Sequence, residues 1–303
     1  MPRLPLVCPL LVGALLLVCS VARAQSAPPP DPASTPTPPQ DTPAPSAKPA
    51  EVDQALINTF TTLPLKRNHG YFRLTHRFAR DLGRGSFGSL ADDLFSLDNG
   101  AVMGLEFRWG LTSNLQAGVH RSTLGKTIHV FGKWDGVRQS DRLPVSLSTV
   151  LSVEGQNNLR QDPQPGGSVI ISRVQGTRLV LYASPTYVHN AHTETLRLLH
   201  EGHSHDIPGL DEEDTSNAVD TFFIGLGARA RVLETVTLVF EVSPRLGGYT
   251  PDATQWGAAI EKLTRGHVLQ LNFGNSFGTT PGMLARGGAS GEVYMGFNLS
   301  RKF

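Results

Sequence analysis

The chain has 303 residues, of which 39% are hydrophobic and 17% are charged, and its formal net charge is +1. This near neutrality excludes the strong basic field of a typical nucleic-acid-binding protein. After the first two dozen residues, no continuous apolar run reaches the roughly 18 residues that a membrane helix requires. The 31 glycines fit an all-β chain better than a helical enzyme.

The first 24 residues predict a secretory signal peptide. Arg3 precedes an apolar run, and a small-x-small cleavage motif ends at Ala24, so we expect cleavage near Ala24. A lipoprotein cleaved before Cys19 is the alternative, but the residue before that cysteine is larger than such sites prefer. Cleavage after Ala24 removes both cysteines, Cys8 and Cys19, so the exported chain has no disulfide.

Two segments are predicted between the signal peptide and the first long strand. Residues 25–56 are a disordered, Pro-rich periplasmic spacer, because ten prolines fall between residues 26 and 50 and little apolar surface accompanies them. Residues 57–70 are a lead-in. The stretch "INTFTTLPL" (57–65) leaves open whether the lead-in contains a short strand.

Residues 71–303 consist mainly of segments in which apolar and polar residues alternate. In "AVMGLEFRWG" (101–110), the apolar face carries Met103, Leu105, Phe107 and Trp109. About twelve such segments follow one another, and short turns alternate with long polar loops between them. This pattern predicts a transmembrane up-and-down antiparallel β-barrel of about 12 strands. The soluble alternative, a β-sandwich, would show less asymmetry between its two sets of connections.

The last strand, "GEVYMGFNLSRKF", has apolar residues at alternate positions and ends on a phenylalanine. It resembles the C-terminal signature that the assembly machinery of the bacterial outer membrane reads. Arg301 departs from that signature, because its position normally carries an apolar or aromatic residue. The residues that carry the resemblance are Met295, Phe297, Leu299 and Phe303.

A wider resemblance covers about residues 70–303. The segments "LTHRF", "LFSLDNGAVMGLEFRWGLTSNLQAGVHRS", "LPVSLS", "SPTYVH", "RGHVLQLNFGNSFG" and "GFNLSRKF" occur in this order. Together they resemble an uncharacterised bacterial outer-membrane β-barrel family known only by a domain-of-unknown-function label. The resemblance implies a barrel in the cell outer membrane, in contact with its lipid and its assembly machinery. It supplies no solute and no catalytic residue.

The face opposite the apolar one predicts the lining of a lumen in which cations outnumber carboxylates. An excess of cations in a narrow passage favours anions, which predicts a channel or binding barrel for an unknown small solute. The alternative is a set of salt bridges that plugs a small barrel. The predicted lining residues are Arg73, Arg77, Glu106, Arg108, Lys133, Arg229, Arg231, Glu241, Arg245 and Glu292.

A His-rich stretch between two predicted strands supplies a second hypothesis. Residues His189 to His205 include half of the ten histidines, and "HEGHSHD" is the densest part. Imidazoles beside carboxylates bind borderline divalent ions, so an external loop that binds zinc, copper or nickel is the alternative function. A solvated surface loop explains the same composition. The candidate ligands are His200, His203, His205 and Asp206.

A barrel lipid hydrolase is the third hypothesis. His120 and Ser122 lie two residues apart, so they point to the same face of a strand, where the imidazole could activate the hydroxyl. However, this face is the predicted lumen rather than the lipid side, and no third orienting acid can be named. We therefore expect no catalytic residues. The near-neutral charge of the chain separately predicts no nucleic-acid partner.

Overall fold

The computed structural model describes residues 51–92, 100–191, 219–248 and 250–303. The strands in these ranges form one antiparallel sheet. Its strands are β1 (Gly70–Phe78), β2 (Ala101–Gly110), β3 (Leu115–Ser122), β4 (Ile128–Val137), β5 (Ser146–Gly155), β6 (Gln161–Gln175), β7 (Leu179–Ala191), β8 (Val219–Leu233), β9 (Val236–Ser243), β10 (Arg245–Gly247), β11 (Gln255–Leu263), β12 (His267–Gly274) and β13 (Tyr294–Lys302).

The sheet closes into a barrel. Each strand except β10 pairs with its neighbours in sequence, β9 pairs directly with β11, and β1 also pairs with β13 along seven residue pairs. The three-residue strand β10 continues β9 beyond Pro244, and its pairing with β8 shifts in register between Arg245 and Gly247. Pro244 accounts for the interruption between β9 and β10, because proline donates no ladder hydrogen bond. With β9 and β10 counted as one wall strand, the predicted all-β barrel of about twelve strands is confirmed.

The alternation seen in the sequence becomes an apolar outer surface and a polar interior. On β2, Met103, Leu105 and Phe107 point outward with 39%, 48% and 41% of their surface exposed. Glu106 and Arg108 between them point inward and are 5% and 1% exposed. Period-two alternation places successive side chains on opposite faces of a strand, which produces this division.

The two ends of the barrel differ. The end that holds the start of β1 and the end of β13, called here the terminus end, has the turns 111–114, 138–145, 176–178, 234–235 and 264–266. At the opposite end, called the loop end, most connections are longer, and they contain the helix α1 (Phe87–Asp92) and the helical turn α3 (Pro281–Leu284). Two connections at this end are short: residues 123–127, with a 3₁₀ turn at Leu124–Lys126, and residues 156–160, with the helical turn α2 (Gln156–Leu159).

None of the helices described here is long and apolar enough to span a membrane.

Two segments that are not strands fill the barrel interior. Residues 51–65, called here the plug, are almost entirely buried, and so is much of residues 275–289, called the lid. Residues 57–65 form no strand; the plug contains one isolated bridge, between Ala55 and Phe60. The sequence predicts a spacer that ends at residue 56 and a lead-in that begins at residue 57. In the structure, residues 51–56 are packed inside the barrel together with residues 57–65.

Candidate functional site

The plug is a tight hairpin inside the barrel. Thr61 donates its backbone N–H to Gln54 O at 3.1 Å, and Leu56 donates to Thr59 O at 2.8 Å. Gln54 and Thr61 are completely buried. Lys302, at the end of β13, donates its Nζ to Val52 O at 3.1 Å, so the chain enters the barrel from the terminus end.

The tip of the plug surrounds the carboxylate of Glu241 on β9. Oε2 accepts the backbone N–H groups of Ile57, Asn58 and Thr59 at 3.2, 2.9 and 3.2 Å. The same oxygen accepts the Thr59 hydroxyl at 3.2 Å, while Oε1 accepts Asn58 Nδ2 at 2.7 Å and Gln255 Nε2 at 3.2 Å. A buried charge is tolerated when hydrogen bonds replace its hydration, and Glu241 takes five of them from the plug.

Wall side chains on many strands donate to the backbone carbonyls of the plug. Arg229 on β8 donates to Ala55 O at 2.7 Å, and Arg108 on β2 donates to Gln54 O at 3.3 Å. Four further donors of this kind are Arg73 to Ile57 O, Asn298 to Ile57 O, Gln270 to Leu56 O and Lys133 to Leu63 O. These donors lie on β1, β2, β4, β8, β12 and β13, so the wall holds the plug from several sides.

The same cations also pair with carboxylates of the wall. Arg229 makes two bonds of 2.9 Å to Glu261, Arg108 donates to Glu106 at 2.7 Å, and Lys133 pairs with Asp135. The buried charges on the described strands balance in number. They are Arg73, Arg77, Arg108, Lys133 and Arg229 against Glu106, Asp135, Glu154, Glu241 and Glu261.

Apolar residues of the wall match apolar residues of the plug. Leu56 and Ile57 pack in one cluster with Val180, Tyr182, Val239 and Ala259. Phe60 packs with Phe131, Val150 and Ile170, and the Arg108 guanidinium lies 4.6 Å from the centre of its ring. Valines and isoleucines that point into an otherwise polar interior have a partner when the plug is in place, which explains their inward position.

The lid enters the barrel from the loop end. Thr280 caps the turn α3, and Glu154 on β5 accepts the Thr280 hydroxyl at 2.7 Å and the Gly282 N–H at 2.9 Å. His120 on β3 lies 3.1 Å from the Thr279 hydroxyl through its Nε2. Strand register places Glu106, His120, His129 and Glu154 side by side on four neighbouring strands, and His120 and Glu154 in this row contact the lid.

A cavity of about 20 Å³ separates the plug from the lid. It is large enough for about one water molecule. Its lining comes from both segments and from the wall, and includes Asn58, Phe60, Ile170, Pro281 and Leu284.

Not all of the predicted lining residues occupy the buried interior. Arg231 and Arg245 are partly buried near the two ends of the barrel, and Arg245 donates to Ala285 O in the lid. Glu292 lies in the connection before β13, where it pairs with Arg84 at 2.5 Å. The buried ones are Arg73, Arg77, Glu106, Arg108, Lys133, Arg229 and Glu241.

Sequence reasoning missed the inward carboxylates Asp135, Glu154 and Glu261, and it missed the plug. Strand alternation could have supplied two of the carboxylates, since Asp135 follows Lys133 by two positions and Glu261 follows Ala259 by two. No local pattern in "INTFTTLPL" shows that this stretch lies inside the barrel.

His120 and Ser122 are both buried on the inner face, at 2% and 0% exposure. His120 contacts Thr279, whereas the Ser122 Oγ accepts the backbone N–H of Leu124 at 3.2 Å. Each side chain thus has a partner of its own, and these contacts give no positive sign of catalysis.

The proposed metal ligands His200, His203, His205 and Asp206 lie outside the described residues, so metal binding there stays a prediction. Within the described ranges, no group of three or more histidines, aspartates or glutamates is arranged to hold a metal ion.

The C-terminal residues of the assembly signature lie on the outer surface. Met295, Phe297 and Leu299 on β13 alternate with inward-facing residues, and Phe303 is 54% exposed. Phe303 and Gly70 exchange two backbone hydrogen bonds, of 2.8 and 3.0 Å. Recognition of this strand by assembly machinery stays a prediction.

Comparison with known proteins identifies a family. The profile described as a membrane-bound β-barrel domain (DUF5777) matches residues 53–303, which confirms the predicted resemblance. No curated protein sequence matches the chain.

Several solved outer-membrane structures are similar to this chain. A NanC porin is 10% identical with a TM-score of 0.49, over 78% of this chain and 100% of that one. An outer-membrane channel from Pseudomonas putida F1 is 13% identical with a TM-score of 0.45, over 84% and 100%. Outer membrane phospholipase A from Escherichia coli is 10% identical with a TM-score of 0.38, over 80% and 93%.

Proposed function

Since this chain belongs to the DUF5777 family of membrane-bound β-barrel domains, we propose that it is an outer-membrane channel for a small solute that its own plug holds closed. The supporting observation is the way the plug is attached. It adds no strand to the wall, and its contacts with the barrel come from side chains such as Glu241, Arg229 and Arg108. The plug can therefore leave without breaking a backbone hydrogen bond of the wall, which a membrane barrel must keep.

The direction of withdrawal follows from the contact between Lys302 and Val52 at the terminus end. Outer-membrane barrels place their short turns and chain termini toward the periplasm. The proposed withdrawal of the plug is therefore toward the periplasm.

The wall does not favour one sign of charge as strongly as the sequence suggested. Its five buried cations face five buried carboxylates, whereas the predicted lining had fewer carboxylates. A balanced wall focuses little net field, so the selectivity we expect in the open state is weak. The predicted preference for anions is the competing outcome.

A reversible cross-link tests the role of the plug. The hydroxyls of Thr62 in the plug and Ser172 on β6 lie 2.6 Å apart, and the predicted mature chain contains no cysteine. We propose the double variant Thr62→Cys/Ser172→Cys, with Ser168→Cys/Thr186→Cys as the matched control. The control pair joins β6 to β7 across a similar 2.7 Å contact that excludes the plug.

The measurement is single-channel conductance of the refolded chain in a planar bilayer under a salt gradient. We expect rare openings of the unmodified chain, no openings of the oxidised plug variant, and recovery after reduction. The control should conduct in both redox states. Openings that survive oxidation of Thr62→Cys/Ser172→Cys would show that the plug does not gate the passage. A folded barrel that stays silent even when Glu241→Ala frees the plug would reject the channel.

A further inference from the structure

A groove on the outer wall of the barrel combines cationic and apolar side chains. It lies at the terminus end, where β13 runs between β1 and β12, and its volume is about 500 Å³. Its lining residues are Phe72, His267, Leu299, Ser300, Arg301 and Phe303. This groove is separate from the plug and the lid, which fill the inside of the wall.

Arg301 and His267 face each other across two neighbouring strands. They are register partners on β13 and β12, and Arg301 is also the register partner of Phe72 on β1. Among the residues that the structure describes, none makes a hydrogen bond or ion pair with the Arg301 guanidinium or the His267 ring. A cation on the outer face of a membrane barrel without a protein partner needs an anion or water from the membrane side.

Aromatic side chains indicate the depth of the groove in the membrane. The rings of Phe107 and Trp109 on β2 lie 6.3 Å apart, and the ring of Phe303 lies 6.2 Å from that of Phe107. Aromatic residues form girdles at the boundary between hydrocarbon and headgroups. The Arg301–His267 pair therefore lies at the level of lipid headgroups, beside apolar surface that faces the hydrocarbon.

From this arrangement we propose that the groove binds an anionic phospholipid. The planar guanidinium of Arg301 pairs with two oxygens of the headgroup phosphate, and His267 donates a further hydrogen bond. Phe72, Leu299 and Phe303 supply the surface along which the first carbons of an acyl chain lie. This site explains why Arg301 stands at a position of the C-terminal strand that normally carries an apolar or aromatic residue. The site does not depend on whether the barrel conducts.

The experiment measures lipid binding to the purified full chain in detergent by native mass spectrometry. The probes are phosphatidylglycerol, diacylglycerol without a phosphate, and glycerol phosphate without acyl chains. The variants are Arg301→Gln and His267→Gln. The matched control is Arg265→Gln, which removes an exposed arginine of the adjacent turn that does not line the groove.

We expect one phosphatidylglycerol to remain bound to the unmodified chain. Its dissociation constant should rise roughly fivefold in Arg301→Gln and stay unchanged in Arg265→Gln, as the usual contribution of one cation near an anionic surface implies. If Arg301→Gln does not fold, Arg301→Lys keeps the charge and loses the paired geometry, so a smaller rise is expected there.

Three results would overturn the proposal. If Arg265→Gln weakened phosphatidylglycerol binding as much as Arg301→Gln does, the lipid would be attracted to basic residues in general and not to the groove. Binding of diacylglycerol as tight as that of phosphatidylglycerol would remove the role of the phosphate. Displacement of the lipid by glycerol phosphate at the same concentration would make the headgroup alone the ligand and exclude the acyl contact.

Discussion

The plug and the lid fill opposite ends of the same barrel, and the wall holds them by different means. The plug exposes its backbone to the wall, which binds it through Glu241 and through donors such as Arg229 and Gln270. The lid is tied at both ends to β12 and β13, and it satisfies part of its own backbone in the turn α3. This difference is the reason that we propose withdrawal for the plug and not for the lid.

Glu241→Ala should have the largest effect on this difference. It removes the acceptor of five hydrogen bonds from the plug, and loss of a buried charged partner costs about 4 kcal/mol. We expect hydrogen exchange at the amides of Asn58 and Thr59 to accelerate by roughly a hundredfold or more. Exchange in the lid should stay unchanged. Asp141→Asn in an exposed turn is the control, and slow exchange at Asn58 in Glu241→Ala would show that the carboxylate does not fasten the plug.

Phe60→Ala tests the apolar part of the same attachment. The ring packs against Phe131 and lies under the Arg108 guanidinium, and its removal leaves a cavity that costs about 3 kcal/mol. We expect proteolysis within the plug while the wall stays resistant, because Phe60 belongs to no wall strand and its bridge to Ala55 lies within the plug. If the plug of Phe60→Ala remained resistant to proteolysis, its attachment would depend on its polar contacts alone.

Glu154→Gln should have the smallest effect and should act on the lid alone. A glutamine still accepts a hydrogen bond, so exchanging it for the carboxylate costs about 1 kcal/mol in the contacts with Thr280 and Gly282. We expect the Gly282 amide to exchange roughly fivefold faster. Faster exchange at Asn58 in the same variant would contradict independence and would show that the two segments move together.

The strands of the wall can be predicted from the sequence, but the plug inside the barrel cannot. Alternation fixes the strand faces locally, so β2 was predicted with its observed bounds and Arg108 with its observed direction. The contacts of the plug join residues far apart along the chain, such as Asn58 and Glu241, which are 183 positions apart. The short stretch around Asn58 has neither a helical nor a strand period, so no local rule predicts where it packs.

The same limit applies to the lining charges. Alternation places Arg229 and Arg108 in the interior, and it also places Glu106, the partner of Arg108 two positions away on the same strand. The partner of Arg229 cannot be predicted in this way, because Glu261 lies on β11 and β9 separates that strand from β8. When Glu261 and Asp135 are counted with the lining residues, the apparent excess of cations disappears, because these carboxylates pair with Arg229 and Lys133. Charge counted from one sequence therefore overstates the field inside a closed barrel.

The pairing of Gly70 with Phe303 also leads to an expectation about the order in which the barrel folds. With β10 counted as part of β9, every strand contact except β1 with β13 joins successive strands, and such local hairpins form quickly. The contact between β1 and β13 joins the two ends of the barrel sequence, so its formation costs more loop-closure entropy than that of any hairpin. We therefore expect closure to be the slow step, and because the plug immediately precedes β1, we expect the plug to be enclosed in that step.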